Sequence, residues 1–393
     1  WVPAIYDFNF RHSCTLNVLN YDGMIDKLGE LIQITNDYDA AMTEFKKVTD
    51  TSAVDLQNYT TTLGELGESV ARTTTEMLEA ATEFSKGGFT ADESAKLAQV
   101  ASTYQNIADA EISAGEAASF IISQMKAFDV QVGEATSILD KINEVSNNFS
   151  VSSTDIASAL TKQSASLAAY GNSLDKSIAL VTSGTEIMTG QAGKVARGLR
   201  TIGANIAQLA QDAKSFDITV NGATKTIQLW NETGTDMLDT YDVLKQIAAV
   251  WGEMSNAEKS SLAITLAKKT QMDTFLAVLG NFNDAEKAYV TSLTSEGSAL
   301  KENAAYMESI EAHIKSLQQQ WEQLVLSAPF EDLEKALLSV ATVILKFANS
   351  DIGKLIIQLI AVQTATVLFI TALSALKTAI AATNFGAFCS FIL

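Results

Sequence analysis

The sequence predicts a mainly α protein: stacked helical hairpins and long amphipathic or coiled-coil helices, one small β-hairpin at about 216–230, and an apolar C-terminal helix. Three observations carry that expectation. Only two prolines occur in 393 residues, and proline is the strongest helix breaker. The apolar residues are mostly Ala, Leu, Ile and Val, with 8% aromatic, which favours long helices over a sheet-rich domain. Polar residues that accept the free N–H groups of a helix start also recur just before apolar runs.

Those caps set the elements in order. Residues 1–36 are aromatic and β-branched without a clean period, an irregular N-terminal segment or short strand. From Asp37 to about Asp212 the chain reads as helix after helix. Asp37 precedes Tyr38–Val48, Ser52 precedes Val54–Gly67, Thr90 precedes Ala91–Ala101, and Ser113 precedes Glu116–Phe128. Gly87-Gly88 and Gly171-Asn172 supply residues that tolerate the left-handed conformation closing a helix. A duplication is also legible. Thr73–Val100 can be laid on Ser152–Val181, each running from a hydroxyl cap through an Ala-rich helix to a Gly turn and a second apolar helix. The second copy is longer by about one helical turn.

The chain beyond this core, taken as 37–215, changes character. In "FDITVNGATKTIQLW", Ile218 and Val220 alternate with Thr219 ahead of Asn221-Gly222, a strong hairpin signal. Helices follow over Thr240–Gly252 and from Asn256 to about Gly280, making 216–302 one segment. Over 303–350 the reading is coiled-coil-like. Met307, Ile310, Ile314, Leu317, Trp321 and Leu324 fall at 3-4-3-4-3 spacing and form a candidate oligomer seam. A single amphipathic helix in a globular core gives nearly the same pattern. Pro329 interrupts the run, and Leu333, Leu337, Val340, Ile344 and Phe347 resume it. The segment 351–393 is an apolar, membrane-competent tail. Leu355–Leu376 holds no charge, and its apolar positions include Leu355, Ile356, Ile360, Val367, Phe369 and Leu376. That length suits a bilayer span of roughly 20 residues.

Charge and chemistry narrow the function. A formal net charge of −19 argues against wrapping DNA, which needs a surplus of Lys and Arg. Cys14 and Cys389 are the two cysteines; they lack zinc spacing and point to a reducing compartment. His12 and His313 have no Glu-x-x-His or Cys partner for a metal, no Gly-x-Ser-x-Gly elbow occurs, and no cofactor or catalytic residue is indicated. The opening Trp1, without a basic n-region, reads as an internal piece of a longer polypeptide.

The stretch "GQAGKVARGLRTI" (190–202) raises the question of a phosphate loop. Gly193-Lys194 is followed by Val195 where a P-loop needs Ser or Thr, and the preceding segment reads as helix. The glycines instead let a helix start tightly and pack close. Arg197 and Arg200, at i and i+3, are candidates for an intra- or intersubunit salt bridge, the intersubunit contact being the sharper expectation.

This stretch, with "DYDAAMTEFKKVTDTS", "EAATEFSKGGFTADE", "NNFSVSSTDIASAL", "ITVNGATKTIQLW", "IAAVWGEMSNAEKSSLA" and "AKKTQMDTFLAVLGN", resembles in order and spacing the core region of phage tail tape measure proteins of the TP901 type, over about 37–327. The chain departs from that pattern at Lys268-Lys269-Thr270, where Gly often precedes an Arg, and at Arg197-Gly198. The resemblance implies a non-enzymatic structural protein of the virion tail. Its copies assemble as a homo-oligomer, a trimer or hexamer, in the tube lumen or tip, and set tube length. Implied partners are tail tube and tail tip (distal tail and hub) proteins, tail assembly chaperones and, on ejection with the genome, the host cytoplasmic membrane; no sequence-specific nucleic acid is implied. Assembly would take place in the host cytoplasm. The rival reading is an α-helical pore-forming or membrane-inserting protein unrelated to tails, which has no need of an Asn-Gly hairpin or a duplicated unit.

Overall fold

A computed structural model describes residues 33–50 and 55–327. It is mainly α, and among the described residues a single two-stranded sheet is present. The helices are α1 (33–48), α2 (Leu56–Glu68), α3 (Thr74–Lys86), α4 (Ala91–Ile107), α5 (Ala114–Phe128), α6 (Ala135–Asn148), α7 (Ser153–Ala169), α8 (Leu174–Ile187) and α9 (Ala192–Asp212). Strands β1 (Ser215–Val220) and β2 (Ala223–Gln228) follow, then α10 (Thr240–Trp251), α11 (Asn256–Ala267), α12 (Met272–Gly280), α13 (Phe282–Leu293), α14 (Ser298–Met307) and α15 (Ile310–Ser327). The chain divides into two compact units: Trp1–Leu78 together with Met307–Leu393, and Glu79–Tyr306.

Local chemistry explains most of these boundaries. Thr90 and Ser113 cap α4 and α5 with reciprocal boxes, Glu93 and Glu116 reaching back to the cap N–H groups. Two other expected caps are corrected. Helix α1 is already running at residue 33, so Asp37 lies inside it and accepts a hydrogen bond from Gln33 Nε2 at 2.7 Å. Residues 33–36 are therefore helical, not part of an irregular segment. Helix α2 is capped by Asp55, which accepts from the N–H groups of Gln57 and Asn58; Ser52 lies outside the described residues. The two glycine turns match each other. At Gly88 (φ 95°) Phe89 N bonds back to Phe84 O, and at Gly171 (φ 82°) Asn172 N bonds to Leu167 O. These are the same six-to-one closure.

Within Glu79–Tyr306, α8 is the central helix. Residues from Leu174 to Thr185 are buried around nearly its whole circumference, as expected of a core helix. It packs on α13, α7, α9 and α12. Fully burying one side chain such as Ile178 or Leu180 contributes about 1.5–3 kcal/mol. Polar ties fix the rim. Lys176 bridges Asp239 at 2.6 Å and Asp242 at 2.9 Å, and Asp140 accepts from Gly297 N and Ala299 N at the start of α14. The region expected as one helix from Asn256 to about Gly280 is two, because the chain turns at Lys268, where φ is +58°.

The hairpin forms as its Asn-Gly pair dictates. Asn221 (φ 49°) and Gly222 (φ 76°) make the tight turn, and Ile218, Val220 and Ile227 face the core. Gly222 N donates to Glu258 Oε1 at 3.0 Å, so the carboxylate that boxes the start of α11 also holds the turn. The N–H groups of Gly222 and then Ser255 pull the Glu258 carboxyl down from 4.5 to about 2. A depressed carboxylate gives stability that is present above its unfolded value and lost as pH falls through the folded one. Melting midpoints followed from pH 4.5 to pH 2 will therefore drop more steeply for the wild type than for Glu258→Gln; parallel profiles would refute the tie.

Candidate assembly surfaces

Helix α9 carries the glycine-rich stretch. Its start follows Gly190 (φ 71°), and its Gly198 and Gly203 are contact points. A Cβ added to Gly198 would lie 2.4 Å from Thr274 Cβ on α12, and one added to Gly203 would lie 2.4 Å from Tyr170 Cδ2. Gly184 on α8 is crossed in the same way by Val195 of α9. The glycines thus let α9 approach α8, α12 and the end of α7 closely, the role expected of them.

The opposite side of α9 is exposed and basic. Arg197 and Arg200 both lie on it, and neither makes an ion pair among the described residues. The intrachain salt bridge allowed for in the sequence is therefore not formed there. Lys194 takes the nearby acid instead, with Nζ 2.8 Å from Asp273 Oδ2.

Helix α15 has two unlike faces. The expected coiled-coil seam running from Met307 to Leu324 is broken at Glu308-Ser309, so Met307 ends α14 and Ile310 begins α15. Among the described side chains of α15 the buried positions are Ala312, Gln319 and Glu322. At 3.6 residues per turn these lie across the helix from the Ile310, Ile314, Leu317, Trp321 line. Ile310 and Ile314 are 47% and 50% exposed, and Leu317 and Trp321 are half-buried. Leu324 shares that backbone face; its side chain lies outside the described residues.

What holds the polar face is a long-range cap. Glu322 accepts from Thr74 N at 2.5 Å, from Thr75 N, and from the Thr75 hydroxyl. Gln319 Nε2 donates to Gly64 O at 3.1 Å. A carboxylate at the positive end of α3 satisfies N–H groups that have no helical partner. Burial nonetheless pushes the Glu322 carboxyl above its usual value, outweighing the hydrogen bonds from Thr75 and Thr74 that favour the charge. Sequence reasoning missed Glu322, since nothing in "QQQWEQL" announces a partner some 250 positions earlier.

Elsewhere a shallow cleft of about 550 Å³ beside Trp230 is lined by Lys214, Gln228 and Gln246. Lys214 sits over the Trp230 ring at 5.6 Å. Among the described residues no His, Cys, Asp and Glu side chains gather to hold a metal, and no helix is long and apolar enough to cross a membrane. The span Leu355–Leu376, with Leu355, Ile356, Ile360, Val367, Phe369 and Leu376, lies outside the described residues, as do Cys14, Cys389 and His12.

The family model described as phage-related minor tail protein matches residues 60–268, from α2 to the end of α11. No solved structure matches the chain.

Proposed function

The chain belongs to the phage-related minor tail protein family, whose model matches more than half of its 393 residues, and from that membership we propose that it works as a tape measure protein. In this reading several copies, three or six, lie together in the tail tube lumen or tip during assembly and set the tube's length. They contact tube, tip and chaperone proteins, then leave with the genome. The charge-free Leu355–Leu376 segment, long enough for a hydrocarbon core of about 30 Å, supports the genome's passage across the host cytoplasmic membrane.

The observation that carries the reading beyond the family is α15. A helix docked by its polar face, with Ile310, Ile314, Leu317 and Trp321 turned the other way, suits side-by-side packing of several copies through a heptad-spaced seam. The described body plays a different part. Within Glu79–Tyr306 the helices fold back on one another, α8 on α13 and α7 on α9. This unit counts as one block, and length is read from helical turns laid end to end, at about 1.5 Å per residue.

Localisation tests the reading. Antibody raised against Glu79–Tyr306 will label the tails of disrupted virions, and loss of the gene will leave tails absent or of uncontrolled length. Virions without the protein, or normal tails from the disrupted gene, would dispose of it.

A further inference from the structure

We propose that a cationic face centred on α9 docks the acidic helical surface of a second copy of this chain, an inference that rests on the multi-copy reading above. Six of the chain's 27 Lys and Arg meet there: Lys162 on α7; Lys194, Arg197 and Arg200 on α9; and Lys268 and Lys269 in the turn between α11 and α12. Packing sets their neighbourhood. A Cβ on Gly193 would lie 3.7 Å from Lys162 Nζ and 3.8 Å from Arg197 Nη1, which makes these two cations close neighbours. The segment from Leu266 to Thr274 runs beside α9 in the opposite sense. Its Leu266 carbonyl accepts from Asn205 Nδ2 at 2.7 Å, its Asp273 pairs with Lys194, and its Thr274 fills the notch at Gly198. Lys268 and Lys269 therefore sit alongside the middle of α9. Among the described residues only Lys194 of the six has an ion pair.

The backbone supplies an independent observation. Lys268 holds φ +58° and ψ 168°, a region that is essentially glycine's alone and costs any residue with a Cβ. Glycine would make the same turn without strain. Lysine keeps a cation at the edge of a face that already holds unneutralised charge. Strain maintained together with like-charge crowding marks a surface kept for binding rather than for folding.

Charge selects the partner. With these cations gathered on one face of a −19 chain, the rest of each copy is strongly acidic, so a neighbouring copy offers the complementary surface. The apolar seam of α15 supplies attraction, and the basic face fixes how copies sit against one another.

Sedimentation of the full chain tests this, from about 0.01 M to about 1 M NaCl, where the Debye length falls from about 30 Å to about 3 Å. Wild-type self-association weakens as salt rises. The variant Arg197→Glu/Arg200→Glu/Lys269→Glu associates about tenfold more weakly at low salt and loses the salt dependence. Lys268→Gly melts at a higher temperature yet associates more weakly, a pairing that a merely structural residue does not produce, while Lys268→Arg associates like the wild type. Oligomers unchanged by the triple reversal overturn the proposal and leave the seam reading standing. So does a reversal that alters only binding to single-stranded DNA or to phosphatidylserine vesicles. A chain that is monomeric at every salt concentration overturns both.

Discussion

A Gly198→Leu variant loses about 3 kcal/mol or more of the stability of the Glu79–Tyr306 unit, the upper end of what overpacking a filled interior costs. The reason is geometric. Even a methyl at this position would meet Thr274 Cβ, Cγ2 and Oγ1 at 2.4–2.5 Å, and Thr274 is fully buried and branched next to its backbone, so it has no room to turn aside. Alanine gains about 1 kcal/mol of helix propensity over glycine, so Gly198→Ala is the sharper test: it still destabilises, because the clash outweighs that gain. Adding Thr274→Gly to Gly198→Ala removes the clashing side chain, and the pair shows a coupling of about 1–3 kcal/mol in a double-mutant cycle read by urea unfolding. A Gly198→Ala protein more stable than wild type would mean that α9 and α12 do not meet as described.

Removing Glu322 has an effect of similar size on the other unit. Glu322→Ala leaves Thr74 N, Thr75 N and the Thr75 hydroxyl without their acceptor at a buried helix start, a loss of about 2–4 kcal/mol. Amide exchange detects it as faster exchange of α15 and of the first turn of α3. Burial raises the Glu322 carboxyl, so the folded unit binds this proton more tightly than the unfolded chain does. Its contribution is full below the ordinary carboxylate value and declines as pH rises through the raised one. Mild acid therefore raises the protection of α15 amides, measured relative to their intrinsic exchange rates at each pH, in the wild type, and in Glu322→Gln that rise disappears. Unchanged α15 protection in Glu322→Ala would show that the cap holds nothing.

Much of this was legible in the sequence wherever the signal is local. Thr90 and Ser113 announce their helices because a hydroxyl with a glutamate three residues on is sufficient chemistry for a helix start. Asn221-Gly222 forces its turn by backbone preference alone. Periodicity was less reliable. It ran unbroken through Glu308-Ser309, where the helix stops, because the apolar spacing of Met307, Ile310 and Ile314 does not register a break in the backbone. The turn at Lys268 was hidden because no glycine or proline marks it. Glu322 was beyond reach for another reason: its partners on α3 are brought to it only by the fold. The seam residues and the arginine pair were visible as patterns, whereas which face of α15 is docked depended on Gln319 and Glu322, polar residues that periodicity reads as solvent-facing.

Tail length against inserted helix tests the central claim most directly. Eight in-register heptads, about 56 residues, placed directly after Ser327 extend a helical ruler by about 80 Å at about 1.5 Å per residue, and electron micrographs of the resulting particles should show tails longer by that amount, with the Glu79–Tyr306 body unaltered. Particles that assemble with tails of wild-type length would contradict the ruler reading and leave the chain a tail component of another kind.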